Sequence, residues 1–262
     1  MRDKFFPQTM SIRIPSFLVK LIPLEVSKRN FFKKNGQVNE NEFFNKMLPE
    51  MLEYRDYKKT SLREYLDKNI KFSITEKMQE SILDFLEESF DYLYFNEVEY
   101  ECDGVINLRF DVKNEQMYAR LFARLDNIGI KRSSYIRNLI HEYFKQSEYQ
   151  KERICFNTEF VLLLNALEQN AIIQFCNENN IIEAFPISIE YSTKNEHWYL
   201  IYFKKDNFNV LYSIPIYKVK NILLRYGLSN KDINIEHGEK ISEIIEKELF
   251  SNNDRFELKN NI

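Results

Sequence analysis

The chain has 262 residues, of which 44% are hydrophobic and 29% charged, so cores can be buried and bulk disorder is excluded. Two or three modest domains fit this length. A formal net charge of −3 excludes a global basic signature for nucleic acid. Cys102, Cys155 and Cys176 share no CxxC spacing and read as reduced thiols in a cytoplasm. No long apolar run follows Arg2, Asp3 and Lys4, and the stretch 160–167 is too short to span a bilayer, so neither signal peptide nor membrane partner is expected.

The average charge hides a gradient: 15 Lys/Arg stand against 9 Asp/Glu in residues 1–75, and 1 against 10 in residues 76–103. Residues 9–15 alternate, with Met10, Ile12 and Ile14 on one side and Ser11, Arg13 and Pro15 on the other, which predicts a half-buried strand. A helix is expected from about Ser16 to Lys34, shifted or kinked by Pro23 and ended by Gly36. Asn39, with Glu42 three residues on, opens a second helix. Its buried face would be Phe43, Phe44, Met47, Leu48, Met51 and Leu52, and Pro49 runs against the pattern. The same order recurs after residue 104. Ile106, Leu108 and Phe110 point inward and Asn107, Arg109 and Asp111 outward. A helix follows over 114–127 with Met117, Leu121, Phe122 and Leu125 buried, then a turn at Gly129. A last helix, capped by Ser133 or Ser134, carries Tyr135, Ile136, Leu139, Ile140, Tyr143 and Phe144.

Strand, helix, turn, helix, twice over, resembles ribbon-helix-helix proteins, in units of about 9–56 and 105–147. In that family two chains pair their strands; here both strands lie on one chain, so an intramolecular pseudo-dimer is expected. The link between the units reads as helical, opened by Ser73 and Glu76 and carrying an acidic row, Glu76, Glu80, Asp84 and Glu88, that is most simply a solvated face.

The polar run 150–153 separates the halves. In the second half Trp198, Leu200 and Tyr202 alternate with Tyr199, Ile201 and Phe203, so a strand there is apolar on both faces and suits a closed or curled sheet. The series Ile172-Ile173-Gln174-Phe175, Phe185-Pro186, Trp198-Tyr199-Leu200 and Ile216-Tyr217-Lys218-Val219 resembles a WYL domain, a small SH3/Sm-like β-barrel of bacterial regulators. The resemblance implies a cleft for a small ligand or nucleic acid. Carried onto this sequence, it points to Trp198, Tyr199, Lys204, Lys205, Lys218 and Lys220, with lysine at the position before Val219 where arginine is usual. Residues 232–250 read as a closing helix with Ile241, Ile244, Ile245 and Leu249 on one stripe, and 251–262 as a frayed polar tail. The expectation is thus an α+β protein: a double ribbon-helix-helix region at 1–149, a WYL-like barrel at 150–225, and a helical extension at 226–262 suited to dimerisation.

A paired ribbon fits the major groove of B-DNA, and Arg13, Asn107 and Arg109 are residue types that read base edges. Lys131, Arg132 and Ser133 suit phosphate at a helix N-terminus, whereas Glu40 and Glu42 repel it at the equivalent place in the first unit. Lys28, Arg29, Lys33 and Lys34 suit backbone attraction, and Phe31 and Phe32 among them could stack unpaired bases, although phenylalanines at helical spacing are more often core. His141, His197 and His237 show no metal-ligand spacing, and no GxSxG, P-loop or GxGxxG is present, so neither enzyme activity nor a cofactor is expected. Ribbon-helix-helix units followed by a WYL domain resemble the WYL accessory proteins of type VI-D CRISPR systems. That resemblance implies a cytoplasmic, non-enzymatic homodimer whose partners are single-stranded RNA and a CRISPR RNase effector, with DNA, in a ligand-responsive transcription factor, as the alternative.

Overall fold

A computed structural model describes residues 7–69, 78, 81–82, 101–178, 180–225 and 255–257. The chain forms two compact units, Met1–Gln146 and Ser147–Ile262.

The first unit is built on a two-stranded antiparallel ribbon. Strand β1 (Thr9–Ile14) pairs with β2 (Gly104–Arg109) with Ser11 opposite Asn107, Arg13 opposite Val105 and Thr9 opposite Arg109. The period-two pattern does what it predicts: Ile12, Ile14, Ile106 and Leu108 are buried, while Ser11, Arg13, Asn107 and Arg109 are exposed. Asp111 is not on the ribbon. It caps a single 3-10 turn at Val112–Asn114 by accepting from the Lys113 amide at 3.2 Å.

Helix α1 (Ser16–Lys28) and helix α3 (Glu115–Asn127) follow the two strands and have 13 residues each. Both end in the same cap. Asn30 (φ 62°) and Gly129 (φ 73°) take the left-handed conformation. The next residue, Phe31 or Ile130, then donates back to Val26 or Leu125. Helix α1 is therefore shorter than expected. Gly36 (φ 81°) instead shapes a turn in the loop that follows.

Helix α2 (Glu40–Asn69) runs through Pro49, and α4 (Arg132–Lys145) closes the unit. Burial of Phe43, Phe44, Met47, Leu48, Met51 and Leu52 on either side of Pro49 outweighs its lost hydrogen bond. Asn39 and Glu42 exchange bonds as expected, the amide of Glu42 to Asn39 Oδ1 at 3.3 Å and Asn39 Nδ2 to Glu42 Oε2 at 2.7 Å. The helices cross over: α4 packs on β1, whereas α1 and α2 pack on β2. Neither strand is buried by the helices of its own half alone.

In the link expected to be helical, Met78, Ser81 and Ile82 are described and are helical; the capping pair Ser73–Glu76 and the acidic row lie outside the described residues.

The second unit opens with α5 (Glu148–Cys155) and α6 (Asn157–Glu168). The polar run 150–153 is thus not a linker. Ser147 and Gln150 form a reciprocal cap, and Lys151 and Glu152 are buried. A six-stranded antiparallel sheet follows in the order β7-β3-β4-β5-β6-β8, with β3 (Ile172–Asn177), β4 (Asn180–Ser192), β5 (His197–Lys204), β6 (Asn207–Pro215), β7 (Lys220–Arg225) and β8 (Arg255–Glu257). Strand β4 pairs with β3 up to Ala184 and with β5 from Ala184 onward, and a bulge falls between Pro186 and Ser188. Proline has no N–H for the ladder, and the bulge bends the strand.

The bend lets Ile172, Phe185, Ile201, Phe203 and Leu211 meet in one core. Strand β5 is covered on both faces: Ile201 and Phe203 belong to this core, and Leu200 and Tyr202 on the opposite face are buried as well. The expected barrel is not closed: among the described residues β7 and β8 are the two edges and do not pair. Helix α5 also packs against β5. Residues 255–257, expected in a frayed tail, pair with β6. The closing helix expected at 232–250 lies outside the described residues.

Candidate nucleic-acid interface

On the ribbon of the first unit, the solvent face carries Thr9, Ser11 and Arg13 from β1 and Val105, Asn107 and Arg109 from β2. Ser11 Oγ donates to Asn107 Oδ1 at 2.6 Å in the middle of this face. Arg13 and Arg109 lie diagonally to either side of that pair, four register positions apart, or about 13 Å along the ribbon. Neither makes a side-chain ion pair among the described residues. The backbone beneath Arg109 is rigid. Asn45 Nδ2 donates to its carbonyl at 2.7 Å, its amide donates to Asn41 Oδ1 at 3.2 Å, and the Asp111 amide donates to Asn45 Oδ1 at 2.7 Å. Asn41 and Asn45 belong to the first turns of α2, so they hold the strand of one half against the helix of the other. They were missed in the sequence because an asparagine one turn into a helix gives no sign that it serves a strand far along the chain.

Helix α4 starts at an N-cap, Lys131, that contributes no side-chain bond; neither Ser133 nor Ser134 is the cap. Lys131 is exposed at this helix start. Arg132 is committed elsewhere. Its guanidinium binds both carboxylate oxygens of Asp126, one through Nε at 3.0 Å, and lies 5.1 Å from the centre of the Phe122 ring. That pairing holds the Asp126 carboxyl below its usual range. Arg132 therefore locks the turn between α3 and α4. The matching end of α2 is closed to anions by its own cap and by Glu40 and Glu42.

Among the other expected cations, Arg29 is misassigned. It is 1% exposed, donates through Nε to Glu25 Oε1 at 2.8 Å, and shares that oxygen with the Tyr143 hydroxyl at 2.7 Å. It is a core ion pair. Lys28 is half-buried on α1, and Lys33 and Lys34 are exposed on the loop beyond it. Phe31 is buried edge-on against Phe43, with ring centres 5.7 Å apart, whereas Phe32 is 42% exposed.

The second unit has its own concave site, a cleft of about 860 Å³. It gathers Lys204, Lys205 and Lys218, and it leaves out Trp198, Tyr199 and Lys220. Trp198 is a fastener. Its indole N–H donates to the Tyr149 carbonyl at 3.0 Å, and its ring meets Phe160 edge-on and Tyr191 obliquely. Its backbone amide donates to Glu152, fully buried on α5, which also meets His197 Nδ1 at 3.2 Å. Tyr199 packs at the margin of the sheet core, and Lys220 is exposed on β7.

In the cleft Lys205 is neutralised by Glu183 at 2.8 Å, and Glu183 also binds Arg225 at 2.9 Å. The hydrogen bond from Lys205, with the charge of Arg225, holds the Glu183 carboxyl below its usual range. Lys204 Nζ lies 4.5 Å from the centre of the Tyr212 ring, and that ring stacks on Tyr202 with centres 5.6 Å apart. Lys204 and Lys218 are the cations available to an anion, and Asn177 Oδ1, buried without a hydrogen-bond partner among the described residues, lines the same cleft. Tyr202 and Tyr212 are direct cross-strand neighbours, a relation that appears only once the register of β5 and β6 is known.

Among the described residues no group of three His, Cys, Asp or Glu could hold a metal ion, and no helix is long and apolar enough to cross a membrane. No family model matches the chain, and no curated protein does. A solved structure of a CRISPR Cas-related protein superposes on 88% of this chain and 67% of its own, with a TM-score of 0.60 and 17% sequence identity. At that identity the likeness is one of fold: this mixed helix-and-sheet architecture is one that a CRISPR Cas-related protein also adopts.

Proposed function

We propose that this chain is a non-enzymatic regulator that binds single-stranded RNA and stimulates an RNA-guided CRISPR RNase, acting as a homodimer. The observation that carries the reading is the order of parts. Two strand-helix-helix segments share one ribbon, which we read as ribbon-helix-helix units, and a bent sheet around Trp198-Tyr199-Leu200 follows, which we read as WYL-like. The fold likeness to a CRISPR Cas-related protein supports the same reading. Exposed or half-buried cations that could meet a phosphate include Arg13, Arg109, Lys33, Lys34 and Lys131 in the first unit and Lys204, Lys218 and Lys220 in the second.

The test has two arms. Filter binding with unstructured RNA and with duplex DNA over a salt series should show RNA preferred throughout. Adding the protein to an RNA-guided CRISPR RNase should raise its cleavage rate. Duplex DNA preferred at every salt concentration would sink the reading. A second reading, a ligand-responsive DNA-binding regulator, is favoured by one observation, the exposed diagonal of Arg13, Asn107 and Arg109 on the ribbon. It requires Arg109→Ala to relax base preference at a single position of a duplex site while Lys131→Ala weakens all sequences alike.

A further inference from the structure

The two halves of the first unit match through their first helices and caps, and then diverge. In the second half Ile130 and Lys131 alone lead from Gly129 into α4. In the first half residues 31–39 stand between Asn30 and α2. The added loop is anchored at both ends, by Phe31 packed on Phe43 and by the Asn39 cap.

That intervening stretch is nonetheless ordered by its own bonds. The amide of Lys33 donates to the Gln37 carbonyl at 2.7 Å, Gly36 to Lys33 at 2.9 Å and Asn39 to Phe31 at 2.9 Å. Phe32 bridges Val38 as a short antiparallel pair, and the Gln37 amide donates to Asn35 Oδ1 at 3.2 Å. Gly36 at φ 81° makes the tight return. The loop presents Phe32, Lys33 and Lys34 to solvent, and neither lysine makes an ion pair among the described residues.

We propose that the loop Phe31–Val38 is a contact for single-stranded nucleic acid, with Phe32 stacking on one unpaired base and Lys33 and Lys34 meeting the flanking phosphates. The proposal rests on the RNA-binding reading above and names where a strand is gripped. Water-exposed phenylalanine is individually common. Here it sits at the bridged base of a hydrogen-bonded loop, beside two charges of one sign. A flat π-surface beside two cations suits a ligand that alternates rings with anions, which is what a single strand offers. An acidic peptide could satisfy the lysines but supplies no ring at each charge. Because the turn is already held by its backbone bonds, little ordering cost is left for binding.

The test uses the full chain and a short unstructured oligonucleotide, as RNA and as DNA of the same sequence. Phe32→Ala should weaken binding by about 5- to 150-fold, the range that one base–aromatic stack supplies. Its thermal midpoint should match that of the unaltered chain, since the ring is exposed. Phe32→Trp should retain affinity, and its added emission, read against a background of Trp198 alone, should be quenched by the oligonucleotide. The double variant Lys33→Gln, Lys34→Gln should lower the slope of log affinity against log salt by about 1.4, two phosphates of a single strand. An abasic oligonucleotide or a polyglutamate peptide that binds as tightly as RNA would overturn the stacking contact. So would RNA binding untouched by Phe32→Ala. RNA that the unaltered chain does not bind at all would overturn the broader reading and this one together.

Discussion

At the scale of single residues, charge type alone misleads. Arg13, Arg29 and Arg109 look alike in the sequence, yet two of them meet solvent on the ribbon and the third is sealed in the core with Glu25 and Tyr143. What separates them is phase. Arg13 and Arg109 occupy the polar positions of alternating strands, where the period of two sends them outward. Arg29 follows Glu25 by one helical turn at the end of α1, which places it on the stripe of Leu18, Ile22 and Val26. Removing one partner of a buried pair leaves the other charge without compensation. Arg29→Ala is therefore expected to lower the unfolding free energy by about 3–5 kcal/mol. The double replacement Glu25→Leu, Arg29→Met should cost much less. Urea denaturation of both variants checks this; equal losses would place the effect in packing rather than in charge. Trp198 teaches the same lesson from the aromatic side. It is the one tryptophan of the chain, yet its ring is spent on Phe160 and Tyr191 and its indole N–H on the Tyr149 carbonyl.

At the scale of elements, periodicity and caps served well where the signal was local. Both ribbon strands, the paired cap of α2 and the buried faces of α2 and α4 follow from side-chain spacing and from Asn39 with Glu42. Two boundaries went astray for a shared reason. Asparagine at 30 does the work of glycine at 129, and the sequence around Gly36 offered a more conspicuous stop. Likewise, charged residues 150–153 read as a separator, although Ser147 and Gln150 begin a helix there and Glu152 is consumed inside it. The close approach of α1 to β2 gives an element-scale prediction. A Cβ added at Gly104 would lie 2.5 Å from Val19 Cγ2 and 3.0 Å from the Ile14 carbonyl oxygen. Gly104→Ala should therefore destabilise by about 1–3 kcal/mol through overpacking, and Gly104→Ala with Val19→Ala should recover part of it. Denaturant midpoints of the single and double variants decide the matter; an unchanged midpoint in Gly104→Ala would contradict the contact.

At the scale of the whole molecule, the ribbon determines how the first unit coheres. Because α4 covers β1 while α1 and α2 cover β2, damage to one strand must spread to the helices of the other half. Ile12→Asp, at a position with no exposure, should abolish amide protection in α4 as well as in β1, while β3 to β7 of the second unit keep theirs. Hydrogen exchange resolved by peptide checks this; protection retained in α4 would mean that the halves stand independently. The sequence by itself determined the α+β character, the inward faces of both ribbon strands and the burial of β5 on both faces, because each depends on apolar spacing within a few turns or pleats; the pairing of the segments around Ile12 and Leu108 was implied by the resemblance to ribbon-helix-helix proteins. Only the tertiary structure decided that the second sheet bends at Pro186 and stays open, that Lys204 and Lys218 share a cleft from which Trp198 is absent, and that Arg29 and Arg132 are already spent on carboxylates. Those outcomes rest on which distant side chains come to lie opposite one another, and register and ion pairing are properties of contact, not of order along the chain.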